Sequence, residues 1–119
     1  MIWHRISVIA SGLLLCVAAS QAAAQTPSEA RGHEIVAQYC GGCHAIGVTG
    51  DSPNAKAPHF RELHLRYPVD NLAEALAEGI LAGHPEMPEF RFASDDVKDI
   101  IAYLKSVQTQ EKPPVDPAP

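Results

Sequence analysis

The sequence predicts a small all-α protein with long loops. Three observations carry that expectation. Helical periodicity with start signals recurs in three stretches, no stretch alternates apolar and polar residues as a half-buried strand would, and the segment between the first two helices is dense in Gly, Pro, Asp and Asn. No internal repeat is present in the 119 residues.

The N-terminus reads as a leader rather than as part of the fold. Met1 to Arg5 is positively charged, and Ile6 to Ala19 is a nearly unbroken apolar run of 14 residues. Ala22-Ala23-Ala24 then offers a small-residue cleavage site, which completes the three-part plan of a secretory signal peptide. A membrane span needs about 20 residues, so residues 1–24 are expected to be removed, with a retained N-terminal anchor as the alternative. Cys16 lies inside the apolar run without a small residue just before it, and belongs to the discarded leader.

"TPSEARGHEIVAQY" opens the working domain, expected over residues 25–107. Thr26 stands as N-cap, Pro27 occupies the first helical position and Glu29 completes a capping box. A helix from Pro27 to about Tyr39 then delivers Cys40 at its end. Ala45 to Pro68 reads as irregular, with "HFRELHLRY" able to form a short helix between Pro58 and Pro68. "DNLAEALAEGI" places Leu72, Leu76 and Ile80 on one face, with Asp70 as the expected cap. "AGHPEMPEFRF" is a loop punctuated by Pro85 and Pro88. In "SDDVKDIIAYLKSV", Ser94 is the expected cap, and Val97, Ile100, Ile101, Leu104 and Val107 form the apolar face. Residues 108–119, "QTQEKPPVDPAP", are rich in proline and polar groups and are expected to be a disordered tail.

Composition narrows the function. The whole chain carries nine Lys+Arg against 14 Asp+Glu, a formal charge of −5. Loss of Arg5 with the leader leaves −6. Such a surface disfavours nucleic acid and anionic membrane as partners. A chain of 95 residues after loss of the leader buries a marginal core, for which a bound cofactor is a common remedy.

The chemistry concentrates in "CYS-x-x-CYS-HIS" form at Cys40-Gly41-Gly42-Cys43-His44. Cys40 and Cys43 at this spacing can each add to one vinyl group of a haem, while His44 reaches the iron; the pattern is the mark of covalent haem attachment. A disulfide between residues so close would restrain the unfolded chain little. Thioredoxin-like chemistry asks for a βαβ setting that is absent here. Zinc asks for four ligands, and no further cysteine survives cleavage.

An iron that only exchanges electrons needs a second axial ligand. The mature chain has one methionine, Met87, in "HPEMPEF", where Pro88 holds it extended and out of any helix. His33, His59, His64 and His84 are the rivals. His84 is the closest in sequence to Met87, His33 is expected on a helix surface, and His59 and His64 are expected to be solvated.

With "GHEIVAQYCGGCH", "APHF", "GHPEMPEF" and "DIIAYLKS" in hand, the chain resembles a small bacterial class I cytochrome c over Pro27 to Val107. The resemblance implies a cytochrome c fold, in which N- and C-terminal helices cross and loops wrap one covalently attached haem c with its iron. It implies His44 as proximal and Met87 as distal ligand, with Pro58 supplying the backbone carbonyl that accepts the proximal histidine's N–H. Gly32 and Tyr103 match the pair where the terminal helices cross, and Val36 stands where the family often has a bulkier residue.

The function implied is that of a monomeric periplasmic one-electron carrier rather than an enzyme. It would dock transiently on redox proteins with basic faces and meet a membrane only through them. A haem subunit of a larger dehydrogenase or oxidase is the alternative. A ligand-binding or peroxidase protein with a labile Met87 is the more distant one.

Overall fold

The computed structural model describes residues 24–79 and 86–109. They form three α-helices and two short 3-10 segments, and no strand occurs among the described residues. Helix α1 spans Pro27–Tyr39, α2 Leu72–Glu78 and α3 Ser94–Ser106; the 3-10 segments are Phe60–Leu65 and Val69–Asn71. The all-α class is as expected.

Helix α1 starts where the capping box places it. Thr26 Oγ1 accepts from Glu29 N at 3.2 Å, and Glu29 Oε2 accepts from Thr26 N at 2.7 Å. Two of the helix's otherwise orphaned N–H groups are thereby satisfied. Helix α3 also occupies its expected span, but its cap is Ala93 and not Ser94, which is already the first helical residue. No side chain caps that end; Asp95 and Asp96 in the first turn offset the positive end of the helix dipole instead.

The second expected cap is likewise displaced. Val69 buries its side chain, so the chain winds first as a 3-10 turn and α2 begins only at Leu72, after Asn71. Asp70 is thus carried away from the helix end, and both its carboxylate oxygens accept from Lys105 Nζ at 3.1 Å on α3. Helix α2 ends at Gly79, whose φ of 112° is left-handed and suits only glycine without strain. Ile80 and His84, with the rest of residues 80–85, lie outside the described residues.

Helices α1 and α3 make the main packing contact of the domain. Gly32 explains how closely they approach. A Cβ added there would lie 2.6 Å from the Asp99 carbonyl carbon and 2.8 Å from Tyr103 Cβ. Ser28 Oγ also donates to Asp99 Oδ1, and Arg31 pairs with Asp96 at 3.6 Å across the same crossing. Val36, one turn beyond Gly32, is completely buried. Around this crossing Ile35, Phe60, Leu63, Val69, Leu76 and Leu104 close the core. Each such side chain contributes about 1.5–3 kcal/mol when buried.

Candidate functional site

The last turn of α1 positions the cysteine stretch. Cys40 N donates to Val36 O at 2.8 Å and Gly41 N to the same carbonyl at 3.1 Å, which ends the helix. The chain then tightens again, with Cys43 N and His44 N both donating to Cys40 O at 3.1 and 3.0 Å. Cys40, Cys43 and His44 are therefore held on one compact turn. Cys40 is half-buried and Cys43 exposed, and no disulfide joins them. Burial pushes the Cys40 thiol up to about 11. A thiol-exchange nucleophile has the opposite shift, so Cys40 is not poised for that chemistry.

The irregular segment after His44 is fastened to this turn at several points. Asn54 N donates to Cys43 O at 3.1 Å, Ser52 Oγ accepts from Ala45 N at 2.9 Å, and Phe60 N donates to Ala45 O at 2.9 Å. These bonds bring Pro58 over His44. His44 Nδ1 lies 2.8 Å from Pro58 O, and because a carbonyl can only accept, Nδ1 carries the proton. That leaves the lone pair on Nε2. Phe60 packs its ring on the imidazole, with centroids 4.7 Å apart.

Met87 is half-buried in the segment that leads into α3. Its neighbour Glu86 reaches the segment beside the cysteine turn, accepting from Asn54 Nδ2 at 3.4 Å and pairing with Lys56 Nζ at 3.6 Å. Phe90, three residues after Met87, meets Tyr39, the residue before Cys40, at a ring-centroid distance of 5.6 Å. The loop bearing Met87 is thus joined to both flanks of the cysteine turn.

Among the described residues, three of the rival histidines have other partners, and His84 lies outside them. His33 is exposed on α1 with its ring against Tyr103, centroids 5.1 Å apart. His59 and His64, expected to be solvated, are both half-buried and hydrogen-bonded. Arg61 Nη2 donates to His59 Nδ1 at 2.9 Å. His64 Nδ1 lies 3.0 Å from Gln108 Oε1, which folds back from the end of α3.

Two contributors escape sequence reasoning. Gln108, within the segment expected to be tail, accepts from His64 N at 2.9 Å and donates to Phe60 O at 2.8 Å. Thr109 N donates to Arg61 O at 2.9 Å. They clamp the 3-10 segment that carries Phe60 under His44. Tyr103 OH donates to Ile46 O at 3.0 Å, tying α3 to the segment just after His44, and burial raises its phenol above the usual range. No local periodicity signals such partners, because the members of each pair lie far apart in the sequence.

Two cysteines not joined by a disulfide, on one turn with an imidazole whose Nδ1 is already engaged, form a set that suits a covalently held haem. Among the described residues no three His, Cys, Asp or Glu side chains converge as a zinc site would need. In comparison with known proteins, the family model described as Cytochrome c matches residues 29–108. No curated protein and no solved structure matches the chain.

Proposed function

The chain belongs to the cytochrome c family, and on that premise we propose that it shuttles single electrons between redox partners in the periplasm. The family binds a c-type haem covalently, and the protein is accordingly an electron-transfer haem protein. In our reading Cys40 and Cys43 attach the haem, His44 is the proximal ligand and Met87 the distal one. When bound, the haem supplies an iron that alternates between ferrous and ferric.

The observation that carries this reading is the His44 Nδ1–Pro58 O bond at 2.8 Å. It supports a role for Pro58 in holding one tautomer, aiming Nε2 away from the loop and increasing the basicity of that nitrogen. Met87, as a thioether, would favour the ferrous state and raise the potential relative to a second histidine. With His44 and Met87 both holding the iron, neither oxygen nor peroxide would find an open site, which favours a carrier over an enzyme.

Residues 1–24 then serve export, and the haem domain, expected over residues 25–107, takes in Gln108 and Thr109 as well, ahead of the proline-rich stretch. The formal charge of −6 after loss of the leader supports docking on basic partner faces. Electron-transfer contacts of that kind are small, weak and salt-sensitive.

The experiment is Met87→Ala in the haem-loaded protein. Loss of the ferric sulfur-to-iron charge-transfer band, rapid carbon monoxide binding by the ferrous form and a lowered potential are expected. An unchanged visible spectrum would remove Met87 from the iron.

A further inference from the structure

Tyr39, Phe90 and Phe92 form an aromatic cluster against the last turn of α1. The Tyr39 ring meets Phe90 at 5.6 Å and 67° and Phe92 at 5.4 Å and 78°, both edge-on. These values fall within the favoured edge-to-face range of about 4.5–7 Å. Tyr39 is nonetheless 45% exposed, so the cluster is not simply interior filling. Phe92 is itself fixed, its N–H donating to Leu76 O at 3.0 Å at the foot of α2.

We propose that Tyr39 and Phe90 are positioning residues for Met87: their edge-on pair ties the loop that carries the distal ligand to the helix that delivers Cys40. The inference rests on the ligand assignment above. The tether is short. Phe90 follows Met87 by three residues, a span of at most about 10 Å when fully extended. Pro88 stiffens it by fixing its own φ and restricting the backbone of Met87.

On the other side of Met87 the anchor is weaker. Glu86 meets Asn54 at 3.4 Å, long for a hydrogen bond. Its pairing with Lys56 joins side chains 64% and 81% exposed, where ion pairs contribute little. The aromatic pair is therefore the contact that limits how often the Met87 loop lifts. Because Tyr39 immediately precedes Cys40, the pair references the loop to the point of haem attachment itself.

The test uses haem-loaded protein carrying Tyr39→Leu, Phe90→Leu, both together, or Tyr39→Phe. Val107→Ala, a buried change at the far end of α3, serves as a stability control. Two quantities are followed: the temperature at which the charge-transfer band disappears against that at which helical circular dichroism is lost, and the rate of carbon monoxide binding to the ferrous form. In the two leucine variants the band is expected to vanish well before the helices, and carbon monoxide binding to accelerate roughly two- to tenfold, the equilibrium equivalent of one aromatic pair. The double variant should fall short of the sum of the two single ones, since both remove the Tyr39–Phe90 contact while each also loses its own contact with Phe92. Tyr39→Phe should match the wild type.

Coincident loss of band and helix in the leucine variants, as in Val107→Ala, with an unchanged carbon monoxide rate would overturn the positioning role and leave Met87 as ligand. A wild-type protein that lacks the band and binds carbon monoxide as fast as Met87→Ala would overturn both.

Discussion

Replacing Gly32 with alanine tests the geometry on which the fold turns. Two effects oppose one another. Alanine is favoured over glycine inside a helix by about 1 kcal/mol, so the exchange would stabilise α1 if nothing stood in its way. The added Cβ would meet the Asp99 carbonyl carbon at 2.6 Å and Tyr103 Cβ at 2.8 Å. Neither obstacle is the far end of a flexible side chain. The α3 backbone itself must retreat, and overpacking of that kind costs about 1–3 kcal/mol or more. With backbone on one side we take the upper end, which leaves a net loss of about 2 kcal/mol after the propensity gain. For a domain of this size that is a fall in Tm of about 10 °C. Thermal unfolding of the haem-loaded variant, followed by far-ultraviolet circular dichroism, measures it. A Tm equal to or above that of the wild type would refute the reasoning, because propensity would then have won and the helices would not meet at Gly32.

Three further substitutions probe separate contacts. Tyr103→Phe removes the bond to Ile46 O and should cost about 1 kcal/mol at neutral pH. Burial raises the Tyr103 phenol above 10.0, so its stabilising contribution is complete below that pH and is lost as pH climbs through the raised value; denaturant titrations should show the gap between wild type and variant closing in that window. Gln108→Ala deletes the bonds to Phe60 O and from His64 N, a loss of about 1–3 kcal/mol, visible in denaturant unfolding as a lower midpoint at unchanged slope. Thr26→Ala removes the helix cap seen at Glu29 N and should cost about 1 kcal/mol, read as a Tm lowered by about 4–8 °C; no change would mean the cap frays in solution.

What could be read without a structure is unevenly spread along the chain. The cysteine turn, the capping box of α1 and the spans of α1 and α3 were all legible, since each is decided by residues within one or two helical turns. The caps at Asp70 and Ser94 were not. Asp70 is an acceptable cap by residue type, but burial of Val69 wound the preceding residues into a 3-10 turn and sent its carboxylate to Lys105. His59 and His64 look like solvated histidines in sequence and become half-buried because Gln108 and Arg61 close over them.

The sequence by itself determined the spans of α1 and α3, the proline-braced segment at Met87 and the cysteine–histidine stretch whose spacing indicates haem attachment. Those features depend on periodicity, capping and proline geometry, all of short range. Tertiary structure alone decided which nitrogen of His44 carries the proton, how closely α1 passes α3, and how Tyr39 meets Phe90. Ser28 and Asp99, which meet at the helix crossing, are 71 residues apart, and Tyr103 and Ile46 are 57 apart. At such separations no local preference selects the partner. It is chosen when the apolar faces of α1 and α3 collapse together and leave each buried polar group a small set of acceptors within reach.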